Sequence, residues 1–250
     1  MEATIVTKAI CLNFNDYKDS DRLVKLFSVD IGIITARIRG IKKSTAKLKM
    51  ASETFCLAEY TLMKKNDYYQ IIGANIIDNF FNIVNDYEIF SLANALLETT
   101  LKSLPEKTQL GKVFINLLKS LKGICYENKH PIYIVCHYIS YLLDFLGYRL
   151  NVSQCANCKE VFTEKAYFDF DKGSFLCHNC NEYGQYVDLD FIKFVKLVAQ
   201  TPIANSDEIN FKELDLKPVL KFVVTDLEKQ IDKKILSAKN YLEFMENFKK

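Results

Sequence analysis

Four of the chain's eight cysteines lie in one stretch, "CANCKEVFTEKAYFDFDKGSFLCHNC", from Cys155 to Cys180. The spacing is Cys-x2-Cys-x18-Cys-x2-Cys. Each Cys-x-x-Cys pair can present two thiolates from one tight turn. Two such pairs can close a tetrahedron around Zn²⁺, with Cys155, Cys158, Cys177 and Cys180 as the ligands of one zinc ion. For that, the intervening chain must fold back on itself. "KAYFDF" and "GSFLC" read as short strands that turn at "DKG", a zinc-ribbon-like module. Four thiolates fill the coordination shell and leave no site for water or substrate, so the module is expected to hold a fold, not to catalyse. His178 could replace one thiolate, but four well-spaced cysteines leave it no need. A thioredoxin-type redox pair normally follows a strand and opens a helix, and neither pair here does. The other cysteines, Cys11, Cys56, Cys125 and Cys136, lie in apolar segments and read as small buried hydrophobes.

At 250 residues the chain could form one large domain or two to three small ones. The first residues, "MEATIVTKAI", carry an acid and no basic region before an apolar run, unlike a signal peptide. The most apolar stretch, "IYIVCHYISYLLDFL", contains His137 and Asp144 and is too short to span a bilayer. A soluble, intracellular protein without membrane contact is expected, with its thiols mostly reduced.

Residues 1–80 read as strands. "KAICLNF", "RLVKLFS", "GIITARIRG", "TFCLAEYTLM" and "YYQIIGANII" are rich in β-branched and aromatic residues. Ile34, Ala36 and Ile38 alternate with Thr35, Arg37 and Arg39, giving one apolar face and one basic face. Five short strands in so few residues suggest a small closed barrel. From residue 81 the apolar period lengthens to three and four. Phe90–Leu104, Leu110–Leu121 and Val135–Leu146 fit amphipathic helices, and more follow near 191–198, 220–231 and 235–247. The expected fold is α+β and multidomain: a small closed β-barrel at 1–80, an α-helical domain at 81–154 and 183–250, and the zinc module inserted at 155–182.

The formal charge of +2 is spread unevenly. "RIRGIKKSTAKLK", residues 37–49, contains no acid. Arg37 and Arg39 leave the third strand, and Gly40 opens a loop bearing Lys42, Lys43, Lys47 and Lys49. Most such runs are merely solvated. Small barrels, however, commonly hold single strands on a basic face with aromatic stacking partners. Three of the four arginines, Arg22, Arg37 and Arg39, fall in the barrel region, and arginine grips phosphate bidentately. Tyr17, Tyr68 and Tyr69 are candidate stacking platforms. Asp16, Asp19 and Asp21, in "NDYKDSD", read as a turn. There is no Gly-rich phosphate loop, no Gly-x-Ser-x-Gly and no His-Glu-x-x-His. His130, His137 and His178 do not cluster, and His137 reads as a core histidine. No catalytic residue is assigned and no enzyme is expected.

These features resemble the RecO family of bacterial recombination mediators over essentially the whole length. The resemblance is most specific in "NDYKDSDRLVKLFSVDIGIITARIRGIKKSTAKL". Asp16–Tyr17, Asp19 and Asp21–Arg22–Leu23 are followed there by Gly32 and the Arg39–Gly40 step. The inserted four-cysteine module is the second anchor, with Lys159 and "KGS" where many relatives carry Gly and Gly-Gly. The resemblance implies an OB-fold barrel, a helical domain and a zinc module. It implies binding of single- and double-stranded DNA and annealing of complementary strands. It also implies action with RecR to load RecA onto DNA coated by single-stranded DNA-binding protein. The resulting nucleic-acid-binding set is Arg22, Arg37, Arg39, Lys42, Lys43, Lys47 and Lys49. Two other readings fit the residues alone: a zinc-ribbon RNA-binding protein and a Cys-x-x-Cys redox protein.

Overall fold

The computed structural model describes residues 4–41, 46–65, 68–127, 129–162, 165–211 and 214–247. The chain divides into two compact units. One runs to Ile83 and includes Ser103–Leu118; the other comprises Val84–Lys102 and the chain from Lys119 onward. Residues 103–118, which the helical periodicity groups with the second domain, fall with the barrel in this division.

The first unit is a closed barrel of order β1-β2-β3-β5-β4, built from β1 (Thr4–Tyr17), β2 (Asp21–Ser28), β3 (Gly32–Ile38), β4 (Leu57–Lys64) and β5 (Tyr69–Asp78). β1 is the longest strand. Its register shifts between Cys11 and Asn13, and an extra residue there bends the strand. The half before the bend pairs with β4 and the half after it with β2. The parallel pairs Ala36↔Tyr69 and Arg37↔Gln70 close the ring. The expected alternation holds: Ile34, Ala36 and Ile38 point inward among Val24, Leu26, Tyr60 and Leu62. Ile33, on the opposite face, is also buried. Its carbonyl accepts the Lys107 N–H at 2.9 Å, and nearby Phe27 meets Phe114 edge-on at 5.4 Å. Gly32 explains how closely this segment approaches. Its φ is +85°, and a Cβ there would sit 2.0 Å from the Thr108 carbonyl oxygen.

One expectation for this unit needs correction. The basic segment after Gly40 is not loop throughout: a short helix, α1 (Ala46–Ala51), lies between β3 and β4. Its residues favour helix, and it is anchored by buried Ala51 and by Leu48 packed on the barrel core.

The second unit is helical: α2 (Tyr87–Ser103), α3 (Gly111–Cys125, whose first half groups with the barrel), α4 (Pro131–Phe145), α5 (Leu189–Gln200), α6 (Lys217–Ile231) and α7 (Leu236–Asn247). α4 is apolar nearly all round and buries Ile132, Val135, Ile139, Leu142 and Leu143. Such a helix belongs at a centre, and it lies against α5 and α6. His137 on α4 is half-buried, with Nδ1 2.9 Å from the Val198 carbonyl oxygen; this partial burial pulls its pKa down. α7 is held through its N-terminus. Glu98 accepts the N–H groups of Leu236 and Ser237 at 3.1 and 2.7 Å, and Glu228 accepts that of Ile235 at 2.6 Å. Cys11, Cys56 and Cys136 are buried as expected, but Cys125 is only partly so, because it is the last residue of α3. Among the described residues no helix is long and apolar enough to cross a membrane.

Candidate metal centre and nucleic-acid interface

Between α4 and α5 the chain forms a three-stranded sheet of order β7-β6-β8: β6 (Ala166–Asp169), β7 (Ser174–Leu176) and β8 (Gln185–Val187). Two strands were legible in the sequence. The third, "QYV", lies beyond the expected module end at 182 and lengthens the module. The Cys155–Cys158 pair forms one knuckle, with Lys159 N–H donating to the Cys155 carbonyl at 3.1 Å. Lys159 takes φ +65°, a left-handed conformation that suits glycine, so the turn survives the substitution at some strain. The second knuckle has Cys180 N–H donating to the Cys177 carbonyl at 3.2 Å.

The knuckles bring all four sulfurs within 4.8 Å of one another. Cys158 and Cys177 Sγ are 3.6 Å apart, where a tetrahedron with Zn–S bonds of about 2.3 Å requires edges of about 3.8 Å. Without a cation the thiols oppose one another. Burial raises the Cys155 pKa, but the N–H groups of Cys177, Cys158 and Asn157 outweigh it and bring the thiol to about 6. Neighbouring Cys158 and Cys177 push Cys180 up to about 12. Only a bound cation lets four thiolates share so small a space, so the donor set fits a soft, tetrahedral divalent ion. His178 lies outside the cluster, with Nδ1 3.3 Å from the Tyr167 hydroxyl.

The metal side of the sheet has little core of its own: Cys155, Leu176 and Cys177, with Ala156, Phe162 and Cys180 packed against them. The other side leans on α6. Phe168 and Phe175 are buried and meet Phe222 at 4.6 and 5.8 Å; Phe191 meets it at 5.3 Å. The "DKG" turn reaches the same helix through Lys229–Asp171 at 2.9 Å and Gln230 to the Phe170 carbonyl at 3.3 Å. Beneath that turn Asp226 is fully buried. Its Oδ1 accepts from Gln230 at 3.1 Å, whereas its Oδ2 has no partner. Burial drives its pKa up to about 6.

On the barrel, two of the expected phosphate ligands are already engaged. Arg22 is packed over the Phe14 ring at 3.9 Å and donates to Ser52, Glu53 and Asp16 at 2.9, 2.8 and 3.2 Å. Arg37 forms a two-pronged ion pair with one oxygen of Asp21. The other Asp21 oxygen accepts the Gly40 N–H at 2.9 Å. The Gly40 N–H, then Arg37, hold the Asp21 pKa below its ordinary value. Asp21 therefore opens β2 and clamps the exit of β3. The sequence reading took it for turn, and its one signal was that Asp21 and the Arg39–Gly40 step both belong to the recognisable pattern. Arg39 and Lys49 are exposed and have no ion-pair partner among the described residues. Lys42 and Lys43 lie outside the described residues; Lys47 is on α1, its side chain likewise undescribed. Tyr69 is buried in the barrel core, Tyr68 is half-buried, and Tyr17 is 38% exposed beside Arg37.

A closed OB-type barrel, a helical domain and a four-thiolate cluster together define the class: a multidomain, OB-barrel protein with a metal-type module. Two family models account for nearly all of it. That described as "Recombination protein O N terminal" matches residues 1–80 and that described as "Recombination protein O C terminal" matches residues 84–239. The chain belongs to the RecO family. Similar proteins include "DNA repair protein RecO" of Clostridium novyi (strain NT), 26% identical over 94% of this chain and 93% of that protein. The protein of the same name from Caldanaerobacter subterraneus subsp. tengcongensis is 27% identical over 93% and 97%, and that from Acetivibrio thermocellus is 27% identical over 70% of each.

Proposed function

We propose that the chain is a non-enzymatic DNA repair and recombination protein that binds single- and double-stranded DNA through its barrel. Its domains are the barrel, whose compact unit also takes in residues 103–118, the helical domain, and the inserted module, which runs on to β8. Matched family models at both ends of the chain, over a barrel with an acid-free basic segment, carry this reading. Arg39 and Lys49, together with Lys42, Lys43 and Lys47, neutralise phosphates. Arg22 and Arg37 brace the surface that bears Arg39. Contacts of this kind ignore sequence, release counterions and weaken steeply with salt. They also let two complementary strands lie close without repulsion, so the chain anneals them. With RecR it loads RecA onto DNA coated by single-stranded DNA-binding protein, in the bacterial cytoplasm at the nucleoid. One zinc ion on Cys155, Cys158, Cys177 and Cys180 fixes the module against α6.

The test is fluorescence anisotropy with labelled single- and double-stranded oligonucleotides of unrelated sequence, followed by a quenching assay for annealing. Binding that is equal across sequences and falls with salt supports the reading. Preference for RNA of equal sequence would favour a zinc-ribbon RNA binder instead.

A further inference from the structure

The module face opposite Phe168 carries a row of rings, because successive residues of β6 point to opposite sides. Tyr167 and Tyr186 are cross-strand partners on β6 and β8, with ring centroids 6.0 Å apart. His178 flanks Tyr167 with its ring at 6.0 Å. The loop into β8 abuts the same row: a Cβ on Gly184 would come within 3.1 Å of Tyr167 Cβ. In that loop Tyr183 is 92% exposed, and Tyr186 is 53% exposed. Large rings gathered on an open surface mark an interaction site, since water solvates them poorly.

Charge decides which partner suits it. From Gly173 to Ile192 there is no Lys or Arg, in a chain that has 33. The same stretch holds Glu182, Asp188 and Asp190; Asp188 caps α5 by accepting the Phe191 N–H at 2.6 Å through one oxygen, and Asp190 is paired with Lys193. A surface that stacks nucleobases needs cations beside its rings for the phosphates. Here the stretch that bears Tyr183 and Tyr186 carries carboxylates and no cation of its own, while Lys165 lines a cleft with His178 at the other end of the row; acidic neighbours favour a guanidinium or ammonium group over a ring face.

We propose that the outer tyrosine face of the four-cysteine module docks a Lys- or Arg-bearing segment of a partner protein. The cations sit over Tyr183 and Tyr186, and Glu182 and Asp188 close the rim. The proposal is independent of DNA binding by the barrel.

The experiment uses the full-length, zinc-loaded protein and two fluorescein-labelled probes, a peptide of alternating Arg and Gly and an oligothymidylate. Replacing Tyr183→Ala and Tyr186→Ala together should weaken peptide binding about tenfold and leave oligothymidylate binding unchanged. Tyr183→Phe with Tyr186→Phe should retain peptide binding, because the ring face carries the attraction. Glu182→Gln, which alters no ring, should weaken it about threefold. The proposal is overturned if the wild-type protein fails to bind the peptide, or if the double alanine variant binds it normally. Loss of oligothymidylate binding instead would make the face a base-stacking platform and equally refute the proposal.

Discussion

The five barrel strands enclose Val24, Leu26, Ile34, Tyr60 and Leu62, whereas the metal side of the three module strands shields little beyond Cys155, Leu176 and Cys177. Both regions are small sheets with edges to satisfy. The barrel solves the problem by closing, so its strands satisfy one another and its interior fills with side chains. The module cannot close. Its strands are three and four residues long, and it depends on cysteines that a metal can join and on the Phe222 ring lent by α6. A closed sheet is free to spend its surface on cations, as at Arg39 and Lys49. A stapled sheet draws its stability from outside itself, so damage to the staple should exceed damage to any one surface residue.

The largest expected effect follows directly. Removing zinc with a chelator, or making Cys177→Ser, should lower the melting temperature by on the order of 10 °C. Elemental analysis should find one zinc per chain before the change and none after it. An unchanged melting temperature would mean the module stands unaided, and the contrast would fail. Next is the aromatic seam. Phe222→Ala should cost about 3 kcal/mol, as buried Phe truncations do, and should let chelator strip the metal at lower concentration. Metal retention equal to wild type would detach the metal site from α6.

A smaller effect concerns Asp226. Its pKa rises from an ordinary 3.8 to about 6 in the fold. Between these values the native state binds a proton that the unfolded chain has lost, so stability falls as pH rises from about 4 to 6 and stays reduced above it. Asp226→Asn should flatten that dependence and raise stability near pH 7.5 by about 2 kcal/mol. Denaturant melts across the window check the sign; a variant less stable at pH 7.5 would show that the charge is compensated.

The two regions also differed in how far their sequences could be read. Barrel strands announce themselves by alternation, as Ile34, Ala36 and Ile38 do, and the cysteine spacing names its own ligands. What stayed hidden depends on distant partners or on very short elements. Arg22 finds Glu53 across 31 residues, and Arg37 finds Asp21 across 16. Local charge patterning reported both arginines as available cations. α1 spans six residues within a basic run, too few for a period to emerge. β8 has three, recognised only by its pairing with β6. Phe222 carries no local sign that its ring will pack on Phe168 and Phe175, much earlier in the chain.

The most direct measurement sets one barrel cation against three module cations. Arg39→Ala is compared with a variant in which Lys159, Lys165 and Lys172 all become Gln. The readout is the affinity for a labelled single strand over a range of salt concentrations. If the barrel is the DNA face and the module a support, Arg39→Ala lowers the log–log salt slope by about 0.7, the share of one phosphate contact. The triple change then leaves the slope where it was. A triple variant that loses more slope than Arg39→Ala would contradict the account and make the module itself a DNA contact.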